Sequence, residues 1–114
     1  MAHVLVVDDD EDHATMLELS LQALGYEVEA AHSVAEAKHV LATHTIDALV
    51  SDISLGDGTC FDVAPRPRVA VVLSGSESTD DLERARREGF CAHLLKPTTA
   101  AEIARVLDEA LARG

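Results

Sequence analysis

Short runs of apolar residues, each followed closely by polar residues, constrain the fold of this chain more than any other feature. Val69–Leu73 and Ala48–Val50 are entirely apolar, and His3–Val7 is apolar after its first residue. Runs of this length predict strands, and the lack of polar alternation indicates burial on both faces, as in a parallel sheet. Ala92–Leu95 predicts a further short strand, whereas the alternating segment Tyr26–Ala31 is typical of a half-exposed edge strand.

Segments with helical periodicity separate these strands. A helix is predicted at Glu11–Leu24, with Asp10 as its N-terminal cap and Gly25 at its end. Three leucines at helical spacing form its expected inward face: Leu17, Leu21 and Leu24. Capping-box patterns open three further predicted helices, at Ser33–Glu36, Ser78–Asp81 and Thr99–Glu102.

The order of these segments predicts an α/β fold, because strands and helices alternate along the whole chain. Right-handed crossovers then favour a flavodoxin-like, doubly wound sheet of five parallel strands in the order 2-1-3-4-5, with helices on both faces. At 114 residues the chain is long enough for one hydrophobic core, and no repeat or linker divides it. We therefore expect one domain over residues 1–114.

Polar residues at the carboxyl ends of the predicted strands form a candidate site. In this strand order Asp8 and Asp9 follow the first strand, Asp52 ends the third, and Ser74 and Lys96 end the next two. Three neighbouring carboxylates repel each other unless a cation joins them, and such oxygen ligands suit Mg²⁺. With an ammonium and a hydroxyl close by, the set predicts phosphoryl transfer to a carboxylate.

The charge of the chain argues against several classes of partner. Its formal net charge is −12, and residues 1–64 carry thirteen acids against one base. Such a chain is expected to repel nucleic acid and anionic membranes. No apolar stretch reaches the length of a membrane span, and no signal-peptide pattern opens the chain, so we expect a cytoplasmic location. Cys60 and Cys91 are expected to be free thiols.

Four motifs at the ends of predicted strands resemble those of the receiver domains of two-component response regulators. They occur in order along nearly the whole chain, at Val6–Asp10, Val50–Leu55, Val72–Gly75 and Leu94–Pro97. The resemblance is to single-domain regulators of the chemotaxis type. It implies a phosphoacceptor signalling domain that acts through protein contacts, and not an enzyme beyond its own phosphoryl transfer and dephosphorylation.

The resemblance also implies a metal site and a phosphoacceptor. Asp52 would accept a phosphoryl group from the phosphohistidine of a histidine kinase or a phosphotransfer protein. Asp9 and Asp52 would bind Mg²⁺ directly, joined by the backbone carbonyl of Ser54. Asp8 would act on the ion through water.

Further residues are implied to contact the phosphoryl group. Lys96, through a cis peptide to Pro97, would pair with the phosphoryl oxygens. Ser74 would move toward the group and carry the signal to a downstream protein, and Gly75 would leave room for the phosphodonor.

The chain departs from the family pattern at three places. Gly56 and Cys60 stand where such domains more often have proline and glycine, so we expect a looser turn after Asp52. Only residues 53–68 connect the third and fourth strands, which predicts a shortened third helix of one or two turns. We hypothesise that the sheet face left under-covered forms a partner or homodimer surface. His93 replaces a common Tyr or Phe and is either a surface histidine or an altered, pH-sensitive switch.

Two other functions stay open at this point. A degenerate receiver would fold in the same way and contact partners without being phosphorylated. A small phosphohydrolase of the haloacid dehalogenase type also carries Asp-x-Asp after an apolar strand, as at Asp8–Asp10. That family needs an acidic pair after its lysine, whereas Asp80 and Asp81 precede Lys96.

Overall fold

A computed structural model of the chain describes residues 2–75 and 79–113. Within these residues five strands form one parallel sheet in the predicted order β2-β1-β3-β4-β5. The strands are β1 (His3–Val7), β2 (Glu27–Ala31), β3 (Ala48–Asp52), β4 (Val69–Ser74) and β5 (Ala92–Leu95). The helices are α1 (Glu11–Ala23), α2 (Val34–Thr43), α3 (Thr79–Arg87) and α4 (Ala100–Ala112). No helix in this part of the chain is long and apolar enough to cross a membrane.

The register of the sheet brings the predicted site residues to one edge. Because β1 and β3 are paired neighbours, Asp8 and Asp52 leave the sheet side by side. On the other side of β3, strands β4 and β5 pair as far as Ser74 and Leu95, and Lys96 follows directly. The expectation that the strand ends meet at one edge is confirmed.

The central strands lie between two apolar cores. One face of the sheet packs against α1 and α4, and the other face packs against α2 and α3. Strand β1 contributes Val4 and Val6 to the first core and Leu5 and Val7 to the second, and none of the four is more than 1% exposed. Successive side chains of a strand point to opposite faces, so a strand between two cores must be apolar along its whole length.

The helix ends agree with the predicted caps, with one correction. The side chains of Asp10, Ser33 and Thr99 accept backbone hydrogen bonds at the N-termini of α1, α2 and α4. The expectation that Leu24 faces inward is wrong, because α1 ends one residue earlier and Leu24 is 52% exposed. The predicted cap at Ser78 lies outside the described residues.

The connection between β3 and β4 contains less helix than a typical crossover. Its helical part is a single 3₁₀ turn, Cys60–Asp62, so the predicted third helix is reduced to its shortest form. Thr59 and Asp62 cap this turn reciprocally: the Thr59 hydroxyl accepts from the turn, and the Asp62 carboxylate accepts from the Thr59 backbone N–H at 2.9 Å.

The hypothesis that this short crossover leaves a sheet face under-covered is wrong. Side chains of the crossover itself, Leu55, Cys60, Phe61 and Val63, pack onto that face and are at most 8% exposed. The strand residues beneath them are equally buried. No uncovered apolar face is therefore left on this side of the described structure for a homodimer to use.

Backbone hydrogen bonds close the turn that follows Asp52, where Gly56 and Cys60 led us to expect a looser turn. The backbone N–H of Cys60 donates to the carbonyl of Ile53 at 2.8 Å, and the N–H of Leu55 donates to the carbonyl of Gly58 at 2.9 Å. These bonds close the turn from both ends. Gly56 has φ +79°, a left-handed conformation that glycine adopts without steric cost.

Candidate functional site

Asp8 and Asp52 are buried acids at the carboxyl edge of the sheet. Asp8 is 1% exposed and Asp52 is 8% exposed, because each stands at the end of a strand enclosed by both cores. A buried carboxylate is costly unless donors or cations meet it. The partners of these two side chains therefore define the site.

Lys96 is the cation that meets Asp52. Its Nζ lies 2.7 Å from Oδ1 and 2.8 Å from Oδ2 of Asp52, and 3.9 Å from Oδ2 of Asp8. Only the contact with Asp52 Oδ2 has hydrogen-bond geometry, so Oδ1 is a buried oxygen that accepts no hydrogen bond from the described residues. The peptide between Lys96 and Pro97 is cis, as expected.

The two acids differ in proton affinity. Burial raises the pKa of Asp52 to about 6; the hydrogen bond from Lys96 opposes this rise, and the neighbouring Asp8 adds to it. Burial also acts to raise the pKa of Asp8, but hydrogen bonds from His13 and from the backbone N–H of Asp10 outweigh it and lower the pKa. Both groups are therefore mainly ionised at neutral pH, with Asp52 the more basic carboxylate.

His13 is a member of the site that the sequence analysis missed. Its Nδ1 contacts Oδ2 of Asp8, while the backbone N–H of Asp10 donates to Oδ1 of Asp8 at 2.9 Å. No ligand spacing marks this histidine in the sequence. The contact arises because α1 begins directly after β1, and side chains in a first helical turn lean back toward the helix N-terminus.

A cavity of about 330 Å³ opens beside Asp52 and Lys96, and most of the predicted site residues line it. Its lining includes the predicted residues Asp9, Asp52, Ser54, Ser74, Gly75 and Lys96. Asp81, in the first turn of α3, also lines it, and no sequence pattern distinguishes this acid from its acidic neighbours. Asp8 and His13 line a second cavity of about 640 Å³ that shares Asp9, Asp52 and Lys96 with the first.

The donor set at this edge fits a divalent cation. Ligand atoms of Asp8, His13 and Asp52 lie within 4.8 Å of one another, the one such group of His, Cys, Asp or Glu in residues 2–75 and 79–113. Asp52 Oδ1 is buried and accepts no hydrogen bond from the part of the chain that the structure describes, and Asp9 is an exposed acid on the wall of the 330 Å³ cavity. Such oxygen donors are the ligands that Mg²⁺ takes in proteins, so the residues fit the predicted ion.

His93 lies away from this site, in β5. It is half-buried, and its Nε2 is buried without a hydrogen-bond partner among the described residues. With Cys91 and Arg86 it lines a separate cavity of about 240 Å³ between α3 and β5. The role of His93 as an altered switch stays a prediction.

Comparison with known proteins gives one family. The sequence matches the response regulator receiver domain over residues 4–108. The transcriptional regulatory protein PrrA of Mycobacterium tuberculosis is 38% identical over 110 residues, which cover 90% of this chain and 47% of PrrA. The transcriptional regulatory protein GlrR of Escherichia coli K12 is 32% identical, with 96% of this chain and 26% of GlrR covered. The chain thus spans about half or less of the length of these regulators.

Two solved structures show the same architecture. A CheY-like receiver domain protein of Methanospirillum hungatei superposes with a TM-score of 0.91 at 22% identity, covering 99% of this chain and 95% of that one. A response regulator of Burkholderia pseudomallei, solved with a phosphorylated aspartic acid, a calcium ion and citrate, gives a TM-score of 0.85 at 27% identity, covering 99% of this chain and 70% of that one. The receiver-domain family matches most of the chain, and the sheet has the strand order predicted for such a domain. This protein therefore belongs to the response regulator receiver domain family.

Proposed function

We propose that this chain is a phosphoacceptor that takes a phosphoryl group on Asp52 from the phosphohistidine of a histidine kinase or a phosphotransfer protein. The observation that supports this most is the pairing of Lys96 Nζ with both oxygens of Asp52, at 2.7 and 2.8 Å, on the wall of a cavity. A carboxylate in that position faces the cavity on one side and the ammonium of Lys96 on the other.

The transfer would exchange one bond to phosphorus for another. An oxygen of the ionised Asp52 attacks phosphorus, the bond between phosphorus and the donor imidazole nitrogen breaks, and its electron pair returns to that nitrogen. A pKa of about 6 keeps Asp52 ionised at neutral pH and makes it a more basic nucleophile than an ordinary carboxylate. The product is an acyl phosphate on Asp52.

Charge neutralisation is the main task of the surrounding residues. The phosphoryl group brings negative charge beside Asp8, Asp9 and Asp52. Lys96 would offset part of it by moving from the Asp52 carboxylate to the phosphoryl oxygens. Bound Mg²⁺ would supply the rest of the positive charge, held by Asp9, Asp52 and the backbone carbonyl of Ser54, with Asp8 acting through water.

Ser74 would report the phosphorylation. It is 5% exposed at the end of β4 and lines the cavity beside Asp52, and its backbone carbonyl accepts a hydrogen bond from the N–H of Lys96 at 2.7 Å. A shift of Ser74 toward the phosphoryl group would therefore move the end of β4 and, through this hydrogen bond, the end of β5. We propose that a downstream protein reads this change by direct contact.

Incubation with Mg²⁺ and acetyl phosphate, followed by intact-mass measurement, tests the proposal. We expect one labile phosphoryl group per chain, lost in Asp52→Asn and retained in Asp12→Asn, which changes an exposed acid of the same charge in α1. Omission of Mg²⁺ should abolish or strongly slow the reaction. A chain that folds and binds Mg²⁺ but gains no adduct would instead be a degenerate receiver. The phosphohydrolase alternative is set aside, because the family found is the receiver family.

A further inference from the structure

We propose that His13 is a nitrogen ligand of the cation bound between Asp8 and Asp52, and that it shifts the site toward divalent ions that accept imidazole, such as Mn²⁺ and Co²⁺. The inference rests on the proposed function only in that a divalent cation binds at these carboxylates. It assigns a residue outside the four that the receiver resemblance links to the ion, which are Asp9, Asp52 and Ser54 as ligands and Asp8 through water.

The first support is distance. Nδ1 of His13 touches Oδ2 of Asp8, and ligand atoms of His13, Asp8 and Asp52 all lie within 4.8 Å of one another. Ligands on opposite sides of a Mn²⁺ or Mg²⁺ ion stand about 4 Å apart, twice a metal–ligand bond of about 2.1 Å. His13 and Asp52 can therefore bind one ion beside Asp8 after small adjustments, once the hydrogen that Nδ1 shares with Asp8 has been released to solvent, because a ligand nitrogen carries no hydrogen.

The second support is the way α1 holds the ring. His13 lies in the first turn of α1, where its backbone N–H donates to the capping carboxylate of Asp10 at 3.2 Å. The backbone N–H of Asp10 in turn donates to Asp8. The same short segment thus positions the backbone of His13 and the acid that its ring touches. The His13 side chain is 24% exposed, so its ring is partly open to solvent.

The third support is charge. Asp8, Asp9 and Asp52 together carry three negative charges when ionised, and Lys96 already supplies one positive charge at 2.7 Å from Asp52. A divalent ion brings this cluster to neutrality. A further ligand is then best supplied by a neutral group, and imidazole is neutral when it binds a metal.

Ligand chemistry sets the expected preference. Mg²⁺ favours oxygen ligands and keeps several waters, whereas imidazole suits the later transition metals. An oxygen-only site and a site with one nitrogen ligand should therefore rank divalent ions differently. His13 would strengthen binding of Mn²⁺ and Co²⁺ and contribute little to binding of Mg²⁺.

Two other histidines, which lie beside a glutamate far from the site, provide a matched control. His3 and His44 face the same oxygen of Glu29, at 3.5 and 3.9 Å, at the opposite end of β1 from Asp8. They are not part of the group of ligand atoms within 4.8 Å. His44→Gln therefore removes an imidazole beside a carboxylate without touching the proposed site.

Pulsed electron paramagnetic resonance of the Mn²⁺-loaded chain tests nitrogen ligation directly. We expect a ¹⁴N coupling in the unchanged chain that becomes a ¹⁵N coupling when histidine is isotopically labelled. The coupling should persist in His44→Gln and disappear in His13→Gln. Bound Mn²⁺ with no histidine nitrogen coupling, or a coupling that survives in His13→Gln, would overturn the proposal. If His13→Gln does not fold, the labelled, unchanged chain still shows whether a histidine nitrogen binds the ion, and among the described histidines only His13 has a ligand atom within 4.8 Å of those of Asp8 and Asp52.

Metal titration and phosphorylation of the same samples separate this inference from the proposed function. His13→Gln should lower the affinity for Co²⁺ about tenfold or more, while the affinity for Mg²⁺ changes little. An adduct on Asp52 without a nitrogen coupling overturns the role of His13 alone. A nitrogen coupling without an adduct supports His13 and overturns the phosphoacceptor function. Failure to bind Mn²⁺ overturns the role of His13, and failure to bind both Mn²⁺ and Mg²⁺ overturns the phosphoacceptor function as well.

Discussion

The carboxylate of Asp57 accepts a hydrogen bond of 2.8 Å from the backbone N–H of Val34, 23 residues earlier in the chain, and one of 3.2 Å from Ala35. These two N–H groups belong to the first turn of α2, where a helix has no internal partners for them. The turn that follows Asp52 is thus tied to the start of α2. A change in the turn on phosphorylation would reach α2 through this contact.

Asp57→Ala is expected to lower the free energy of unfolding at neutral pH and to lose this effect in acid. The hydrogen bond from Val34 holds the pKa of Asp57 below its ordinary value of 3.8. A group with a lowered folded pKa stabilises the fold above its unfolded pKa and ceases to do so as the pH falls through the folded value. The difference between the two proteins should therefore shrink below about pH 4 in urea unfolding.

Asp57→Asn provides the control for this prediction, because its amide oxygen can still accept a hydrogen bond but carries no charge. It should retain part of the stability at neutral pH and show little pH dependence of its own. A difference between the unchanged chain and Asp57→Ala that stays constant from neutral pH into acid would contradict the role of the charge.

Phe61→Ala is expected to be strongly destabilising although Phe61 lies in a loop crossover. Its ring packs edge-on against Phe90 with 5.8 Å between centroids, and the guanidinium of Arg84 lies 4.3 Å from its centre. Truncation of a buried phenylalanine costs about 3–5 kcal/mol. Chemical denaturation should show this loss, whereas Leu19→Ala, at a residue 60% exposed, should change stability by about 0.5 kcal/mol or less. Equal effects of the two changes would show that the crossover does not cover the sheet.

The sequence predicts the parts of this protein that depend on neighbours along the chain. The all-apolar run Val69–Leu73 predicts a buried strand. The strand order then places Asp8, Asp52 and Lys96 at one edge of the sheet. Contacts made across the chain leave no such pattern. The ring of His13 meets Asp8 only because of the direction in which α1 leaves the sheet.

The sequence does not show contacts between distant residues, and for this reason it did not predict how the crossover covers the sheet. Its shortness is visible in the sequence, but its coverage of the sheet depends on how Phe61 and Phe90 meet in space. A glycine-containing turn indicates freedom in the unfolded chain. In the folded chain, backbone bonds within the turn and the hydrogen bond from Val34, which lies in another element, to Asp57 hold this turn in place.

The two cysteines are expected to differ sharply in reactivity toward a thiol reagent. Burial raises the pKa of the Cys60 thiol to about 12, and the residue is 0% exposed, so at neutral pH almost none of it is the reactive thiolate. Cys91 is exposed. With a disulfide reagent in native buffer we expect one fast reaction, at Cys91, and a second only at the rate of unfolding. Equal rates in native buffer, or a first reaction that persists in Cys91→Ser, would contradict this.

Asp52→Asn is expected to raise the stability of the chain without Mg²⁺ at neutral pH. Burial raises the folded pKa of Asp52 from 3.8 to about 6, and a raised carboxyl pKa favours the fold below the unfolded value and costs stability as the pH rises through the folded value. The ionised group thus costs about 1–3 kcal/mol at pH 7. Urea unfolding should show a gain of this size in Asp52→Asn at pH 7, and the gain should vanish below about pH 4, where Asp52 is protonated in both states.

Under the proposed function Mg²⁺ binds the charged site of the folded chain, so it should narrow the difference in unfolding free energy between Asp52→Asn and the unchanged chain. At a free Mg²⁺ concentration ten times its dissociation constant, the unchanged chain should gain about 1.4 kcal/mol. Asp52→Asn, which lacks one of the ionised ligands, should gain less, and Asp12→Asn should respond like the unchanged chain. A loss of stability in Asp52→Asn without Mg²⁺ would mean that the pairing of Asp52 with Lys96 outweighs the cost of burying the carboxylate. In that case Lys96 and Asp52 would form a net stabilising ion pair in the chain without Mg²⁺.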